Sequence, residues 1–115
     1  MSDCSSDIRA RRKSVEVGKV AVFRDVAPDK AQALKPIEET AEVFGAWQAW
    51  DKSRRMDEAT GIPNSPRTLE ARDALLDECA DVVQAVCNLA ASLGVRDMTD
   101  RMHECRVRNE KRGRL

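Results

Sequence analysis

The chain has 115 residues, enough for one small domain, and carries 20 Lys+Arg against 20 Asp+Glu, so its formal charge is zero. Hydrophobic residues at 42% suffice for a core and argue against global disorder, while 3% aromatics and no Tyr favour helices over sheet. The zero total excludes a globally basic nucleic-acid coat but hides segregation: residues 1–30 hold 7 basic and 5 acidic side chains, residues 31–95 hold 6 and 11, and residues 96–115 hold 7 and 4.

No apolar run approaches the roughly 20 residues that span a bilayer, so no membrane association is expected. Met1 to Ser14 lacks the apolar stretch of a secretory signal. Cys4, Cys79, Cys87 and Cys105 show neither CxxC nor metal-ligand spacing, and a single His argues against a zinc site. The thiols read as reduced, and the expected location is the cytoplasm.

Residues 1–14 are polar and read as a flexible tail, leaving 15–115 as one domain. Residues 15–27 (VEVGKVAVFRDVA) alternate weakly around Gly18, which leaves strand, helix and extended arm all open. Pro28-Asp29 is a helix start, and a helical pattern runs from Asp29 to about Arg55, with Ile37, Ala41, Phe44 and Gln48 on one face. Pro36 either sits in the first turn of that helix or kinks a longer one. Asp51, Asp57 and Glu58 read as ordinary helix-surface residues.

The segment ATGIPNSP (59–66) is a loop, and Ser65-Pro66 is a strong N-cap and N1 pair. A long helix should follow to Leu93, with Gly94 just past its end. Asp97 or Thr99 caps a third helix that ends near Gly113. The expected fold is therefore all-α: three main helices with an N-terminal arm. Three helices in a chain this short give a thin core, so a homodimer or a dimer of dimers that completes a helical bundle is expected.

The acidic residues recur at a telling spacing. Glu39 and Glu42 are at i and i+3 on the first helix, and Glu78 and Asp81 repeat that spacing on the second. Asn88 falls in line with Asp81 two turns on, and Ala74 and Ala85 flank the stripe. In an antiparallel hairpin the two pairs can face each other. Like charges 4 Å apart repel by about 4 kcal/mol at an effective dielectric of 20, so such a cluster either protonates or holds cations. All-oxygen ligands suit Mg²⁺, or Mn²⁺ in its place, and do not suit zinc. The lack of a Glu-x-x-His pair argues against a di-iron carboxylate bundle. Taken alone, either pair is more often a solvated helix face.

Glu38-Glu39-x-x-Glu42 followed by Glu78-x-x-Asp81 resembles the EExxE…ExxD signature of the MazG-like, all-α nucleoside triphosphate pyrophosphohydrolases. LKPIEETAEVFGAWQAW is similar to that family's first motif helix, LLDECADVVQAVCNLAASLG to its second, and NEKRGR to its polar, basic C-terminal segment. The similarity runs from about Leu34 to Arg114. Two departures stand out: Pro36 just ahead of the glutamates, and a 35-residue spacer between Glu42 and Glu78, whose excess is expected in a loop.

The resemblance implies Mg²⁺-dependent hydrolysis of a nucleoside triphosphate to the monophosphate and pyrophosphate, in nucleotide-pool housekeeping. It implies Glu39, Glu42, Glu78 and Asp81 as metal ligands, and Glu38 or Glu39 as the carboxylate that activates water. Arg106, Asn109 and Arg112 recur at i, i+3 and i+6 near the C-terminus, where the anionic substrate gives Asn109 and Arg112 a binding role; a solvated helix end is the competing reading. Met98, Met102 and Cys105 form an apolar stripe that runs into Asn109. Lys35 either reaches the phosphates or pairs with Glu39. Phe44, Trp47 and Trp50 form a stripe that usually means core or interface, while Trp47 or Trp50 is the candidate to stack on a base and Asn88 to contact sugar or base.

Two other readings compete. The chain is a non-catalytic helical dimer serving as an interaction or regulatory module, or it is a phosphoribosyl-ATP pyrophosphatase, a related family with a similar acidic pattern. A nucleic-acid partner would rest on the basic ends alone and is not expected.

Overall fold

The computed structural model describes residues 13–115, so nearly all of the expected tail, and Cys4 with it, lies outside the described residues. The described chain is all-α. It contains α1 (Lys30–Thr60), α2 (Pro66–Ser92) and α3 (Thr99–Lys111), and no strand. No helix among the described residues is long and apolar enough to cross a membrane.

Local chemistry sets the ends of the first two helices, while α3 begins after Met98 with no side-chain cap. Asp29 caps α1, its carboxylate accepting the Gln32 N–H at 2.8 Å. Gly61 closes α1 in the left-handed region at φ 71°, which a side chain would resist. Ser65 caps α2 and accepts the Thr68 N–H at 3.3 Å, with Pro66 in the first turn where its missing N–H costs nothing. Gly94 follows α2 at φ 80°. Asp97 accepts the Thr99 N–H at 2.8 Å just ahead of α3, and the Thr99 hydroxyl and N–H hold its carboxyl below the usual range. Pro36 lies inside α1, beyond its first turn, and the helix continues to five residues past Arg55.

α1 and α2 form an antiparallel hairpin. Among the shielded positions, one series on α1 is Pro36, Glu39, Val43, Ala46, Trp50, Ser53 and Asp57, and one on α2 is Thr68, Ala71, Leu75, Glu78, Val82, Ala85, Leu89 and Ser92. Both series alternate steps of three and four, the seven-residue repeat that keeps two helices in contact along a seam. The face of Ile37, Ala41, Phe44 and Gln48 lies beside this seam, not in it, and stays exposed. Ala85 is the only apolar side chain among the described residues that is buried outright.

The end of the hairpin is held by polar groups. Asp57 is 5% exposed; it accepts the Thr68 hydroxyl at 2.6 Å and the Ser65 N–H at 3.0 Å, while its backbone carbonyl takes the Ile62 N–H. Ser53 bonds the Thr68 hydroxyl at 2.7 Å and receives Arg67 Nε at 3.0 Å. The Thr68 hydroxyl, first, and then the Ser65 N–H hold the Asp57 carboxyl below its usual range against the opposing effect of burial. Asp51 is buried too, held by Arg54 at 2.6 Å and Arg55 at 3.0 Å. Asp51 and Asp57 are thus not surface residues, contrary to their appearance in sequence. Asp57 takes a seam position, and the tight turn needs an acceptor for its backbone. Glu58 remains on the outside, paired with Arg54.

Residues 13–29 form an extended arm with neither strand nor helix. Gln84 donates to the Ala21 carbonyl at 2.8 Å, and the Phe23 N–H donates to the Asn88 side-chain oxygen at 3.1 Å. These bonds lay the arm along α2, over a cleft of ≈ 510 Å³ floored by Leu76, Cys79, Ala80 and Val83. α3 makes no close backbone approach to α1 or α2. The radius of gyration is accordingly 18.3 Å, against about 13 Å for a compact domain of this length.

Candidate metal centre

The 35-residue spacer does not place its excess in a loop. Eighteen residues extend α1 beyond Glu42, twelve precede Glu78 in α2, and only residues 61–65 turn the chain. The two extensions run out and back along the same seam, so the acidic pairs return to one level. The clasp around Asp57 fixes that register from the far end.

Glu39 and Glu78 occupy seam positions that the repeat reserves for apolar side chains; both are half-buried. Glu42 and Asp81 stand one turn along from them, on the exposed edge. Carboxylate oxygens of Glu39, Glu78 and Asp81 lie within 4.8 Å of one another. Glu42 is within hydrogen-bonding reach of both Glu39 and Glu78, a contact that two ionised carboxylates cannot make favourably. The site's electrostatics follow. Burial first, then the charge and contact of Glu42 and the charge of Asp81, push the Glu39 carboxyl above its usual range, with Lys35 opposing. Burial, then Glu42, then Asp81 and Glu39, do the same to Glu78. Glu78 Oε2 is buried with no hydrogen-bond donor from the protein.

This arrangement fits a divalent cation. The donors are all carboxylate oxygens, one of them a buried acceptor that no protein group satisfies, and half of the cluster faces water. Hard ions that keep part of their water shell match such a set.

The remaining candidate residues fall in five places. Glu38 points out of the cluster and pairs with Lys35 at 3.2 Å, so Lys35 engages Glu38 at i+3 and not Glu39 at i+4. Trp47 is exposed and stacks on Phe44, with ring centroids 5.9 Å apart. Trp50 is half-buried in the seam under the Arg54 guanidinium, 5.3 Å from the ring centroid. Trp50 shares Glu39's side of the helix but stands about 16 Å along its axis, since angular alignment says nothing about rise.

Asn88 is 3% exposed, and its oxygen is occupied by Phe23 and Gln84. Asn109 lies on α3, with its amide near Cys105 Sγ and its oxygen on Arg114. Neither Asn109 nor Arg112 is brought to the acidic cluster within one chain, because α3 stands apart. Ala85 is buried in the seam, and Ala74 is exposed.

Sequence reasoning missed the clasp of Ser53, Asp57 and Thr68 and the arm-holding role of Gln84. The first had a readable signal, since all three residues continue the seam repeat at polar positions. The second had none, because an arm without periodicity announces no partner. No protein-family model, curated protein or solved structure matches the chain.

Proposed function

We propose that the protein is a Mg²⁺-dependent nucleoside triphosphate pyrophosphohydrolase of the MazG-like type. The observation that carries this reading is the approach of Glu39, Glu78 and Asp81 from two helices to within 4.8 Å of one another, with Glu42 beside them. Half-buried carboxylates that repel one another cost stability unless a proton or a cation neutralises them. The cluster would hold the cation, with Mn²⁺ as a substitute. A bound Mg²⁺ supplies charge neutralisation for a polyphosphate and acidifies a coordinated water. Phosphoryl chemistry asks little else of the protein beyond positioning.

Glu38 stands outside the cluster, tied to Lys35, so Glu39 is the carboxylate left to activate water, with Glu42, Glu78 and Asp81 then holding the cation. The exposed edge made by Glu42 and Asp81 is the side from which substrate enters.

A panel of nucleotides including dCTP, dUTP and phosphoribosyl-ATP, assayed for pyrophosphate with and without Mg²⁺, tests the reading and separates the two related activities. Pyrophosphate from at least one of them, lost on chelation, is expected. No turnover of any by folded protein with metal present would overturn it.

One observation favours the non-catalytic reading instead: the exposed apolar face of α1 is a surface built for a macromolecular partner. That reading requires Glu78→Gln to leave both cation affinity and thermal stability unchanged.

A further inference from the structure

We infer that Phe23, on the extended arm, reads the base: its ring stacks on the nucleobase of the triphosphate whose phosphates meet the acidic cluster. The inference rests on the pyrophosphohydrolase reading above and adds the part of the site that holds the nucleoside. The chain has two Phe, two Trp and no Tyr. Three of these four rings are placed elsewhere. Trp50 lies in the seam under Arg54, about 16 Å along α1 from Glu39. Phe44 and Trp47 stack on each other. At about 100° per residue they stand about 160° and 140° around α1 from Glu42, away from the open side of the cluster.

Phe23 is on the open side. Its N–H donates to the Asn88 side-chain oxygen at 3.1 Å. Asn88 follows Asp81 by seven residues, which places it within about 20° of Asp81 around α2 and about 10 Å further along the axis. Asp81 and Glu42 form the exposed edge of the cluster. Phe23 therefore flanks the mouth of the site, set back from the carboxylates by a distance that the sugar between phosphate and base bridges.

The backbone that carries the ring is fixed while the ring itself is open. Asn88 is 3% exposed, and Gln84 donates both to its oxygen at 3.0 Å and to the Ala21 carbonyl at 2.8 Å. Against the described residues the Phe23 side is nevertheless 62% exposed. Packing of the ring is thus not what these bonds secure; they hold an aromatic surface in place beside the site. Stacking asks only for a π-face, so a site built this way accepts more than one base and discriminates weakly among them.

The test uses the full chain with Mg²⁺. For the nucleotide that the wild type hydrolyses fastest, Phe23→Ala should raise KM about tenfold, the loss of one base stack, and Phe23→Trp should keep it. The α,β-imido analogue of that nucleotide should bind Phe23→Ala about tenfold more weakly by calorimetry. Inorganic triphosphate carries the phosphates without a base and should inhibit wild type and Phe23→Ala alike. The variant keeps the Phe23 N–H, so tryptic cleavage at Lys19 and Arg24 should not change. An unchanged KM in Phe23→Ala, a KM raised equally in Phe23→Trp, an equal loss of inorganic triphosphate inhibition, or faster cleavage of the arm would each overturn base stacking and leave the reaction standing. A wild type that neither hydrolyses nor binds any nucleotide would overturn both.

Discussion

Glu78 is the residue on which the site's energetics turn. It holds a seam position where a leucine would stabilise the hairpin, and one of its oxygens has no donor. Replacing it with Gln removes a charge that its neighbours oppose, while keeping the shape. The metal-free protein should therefore melt several degrees higher as Glu78→Gln. Its stabilisation by Mg²⁺ should disappear, and pyrophosphate release should fall by about a hundredfold or more, since a lost ligand costs at least what a lost supporting group does. Thermal melts of both proteins with EDTA and with Mg²⁺ check this; a variant that melts lower without metal contradicts the account.

Thr68 makes the opposite case, of a polar residue that is buried for stability. Its hydroxyl is the closest donor to Asp57. Thr68→Val keeps the volume and leaves a buried carboxylate short of a partner, which should lower the melting temperature by roughly 10 °C with the cation response intact.

Among the elements, the helices were legible because their signals are local. Asp29, Ser65-Pro66 and Gly94 act within one turn of themselves and stand in the structure as read, whereas α3 takes Met98 as its N-cap in place of Asp97 or Thr99. The packed face of α1 was not legible. Apolar periodicity says that a face wants cover but not whose, and here the most apolar stripe, at Ile37 and Phe44, is left open while a seam containing Glu39, Ser53 and Asp57 packs. The acidic site was legible because its residues repeat at i and i+3 on both helices. The distant candidates were not, because Trp50, Asn88 and Asn109 depend on rise, arm placement and helix docking.

Asn88 allows a direct decision between two roles. As the acceptor for the Phe23 N–H and for Gln84, it should hold the arm. Asn88→Ala should then speed tryptic cleavage at Lys19 and Arg24 about tenfold, with the helices intact. A raised KM with unchanged cleavage would instead return Asn88 to substrate.

For the whole molecule, two sets of carboxylates pull stability in opposite directions with pH. Asp57 and Asp97 have folded pKa values below their ordinary 3.8, so the stability they contribute is present above that value and lost as pH falls through the lower one. Glu39 and Glu78 have folded values above their ordinary 4.5. The folded state then holds protons that the unfolded state has released, and stability is full below 4.5 and declines as pH rises through the raised values. Metal-free protein should be most stable in mildly acidic solution and should lose ground on both sides.

The two sides differ in what corrects them. A divalent cation bound as proposed would compete with protons for these carboxylates, so Mg²⁺ in large excess over its dissociation constant should raise the neutral-pH melting temperature by about 10 °C. It should leave the acid side alone, because the Asp57 clasp offers its oxygens to Thr68 and Ser65 and not to an ion. Melting curves across pH, with EDTA and with Mg²⁺, read both limbs in one experiment. A decline toward neutral pH that Mg²⁺ reverses and that Glu78→Gln flattens would tie the alkaline limb to the acidic cluster. A neutral limb that is flat without metal and unmoved by it would show that the four carboxylates are fully solvated and bind nothing.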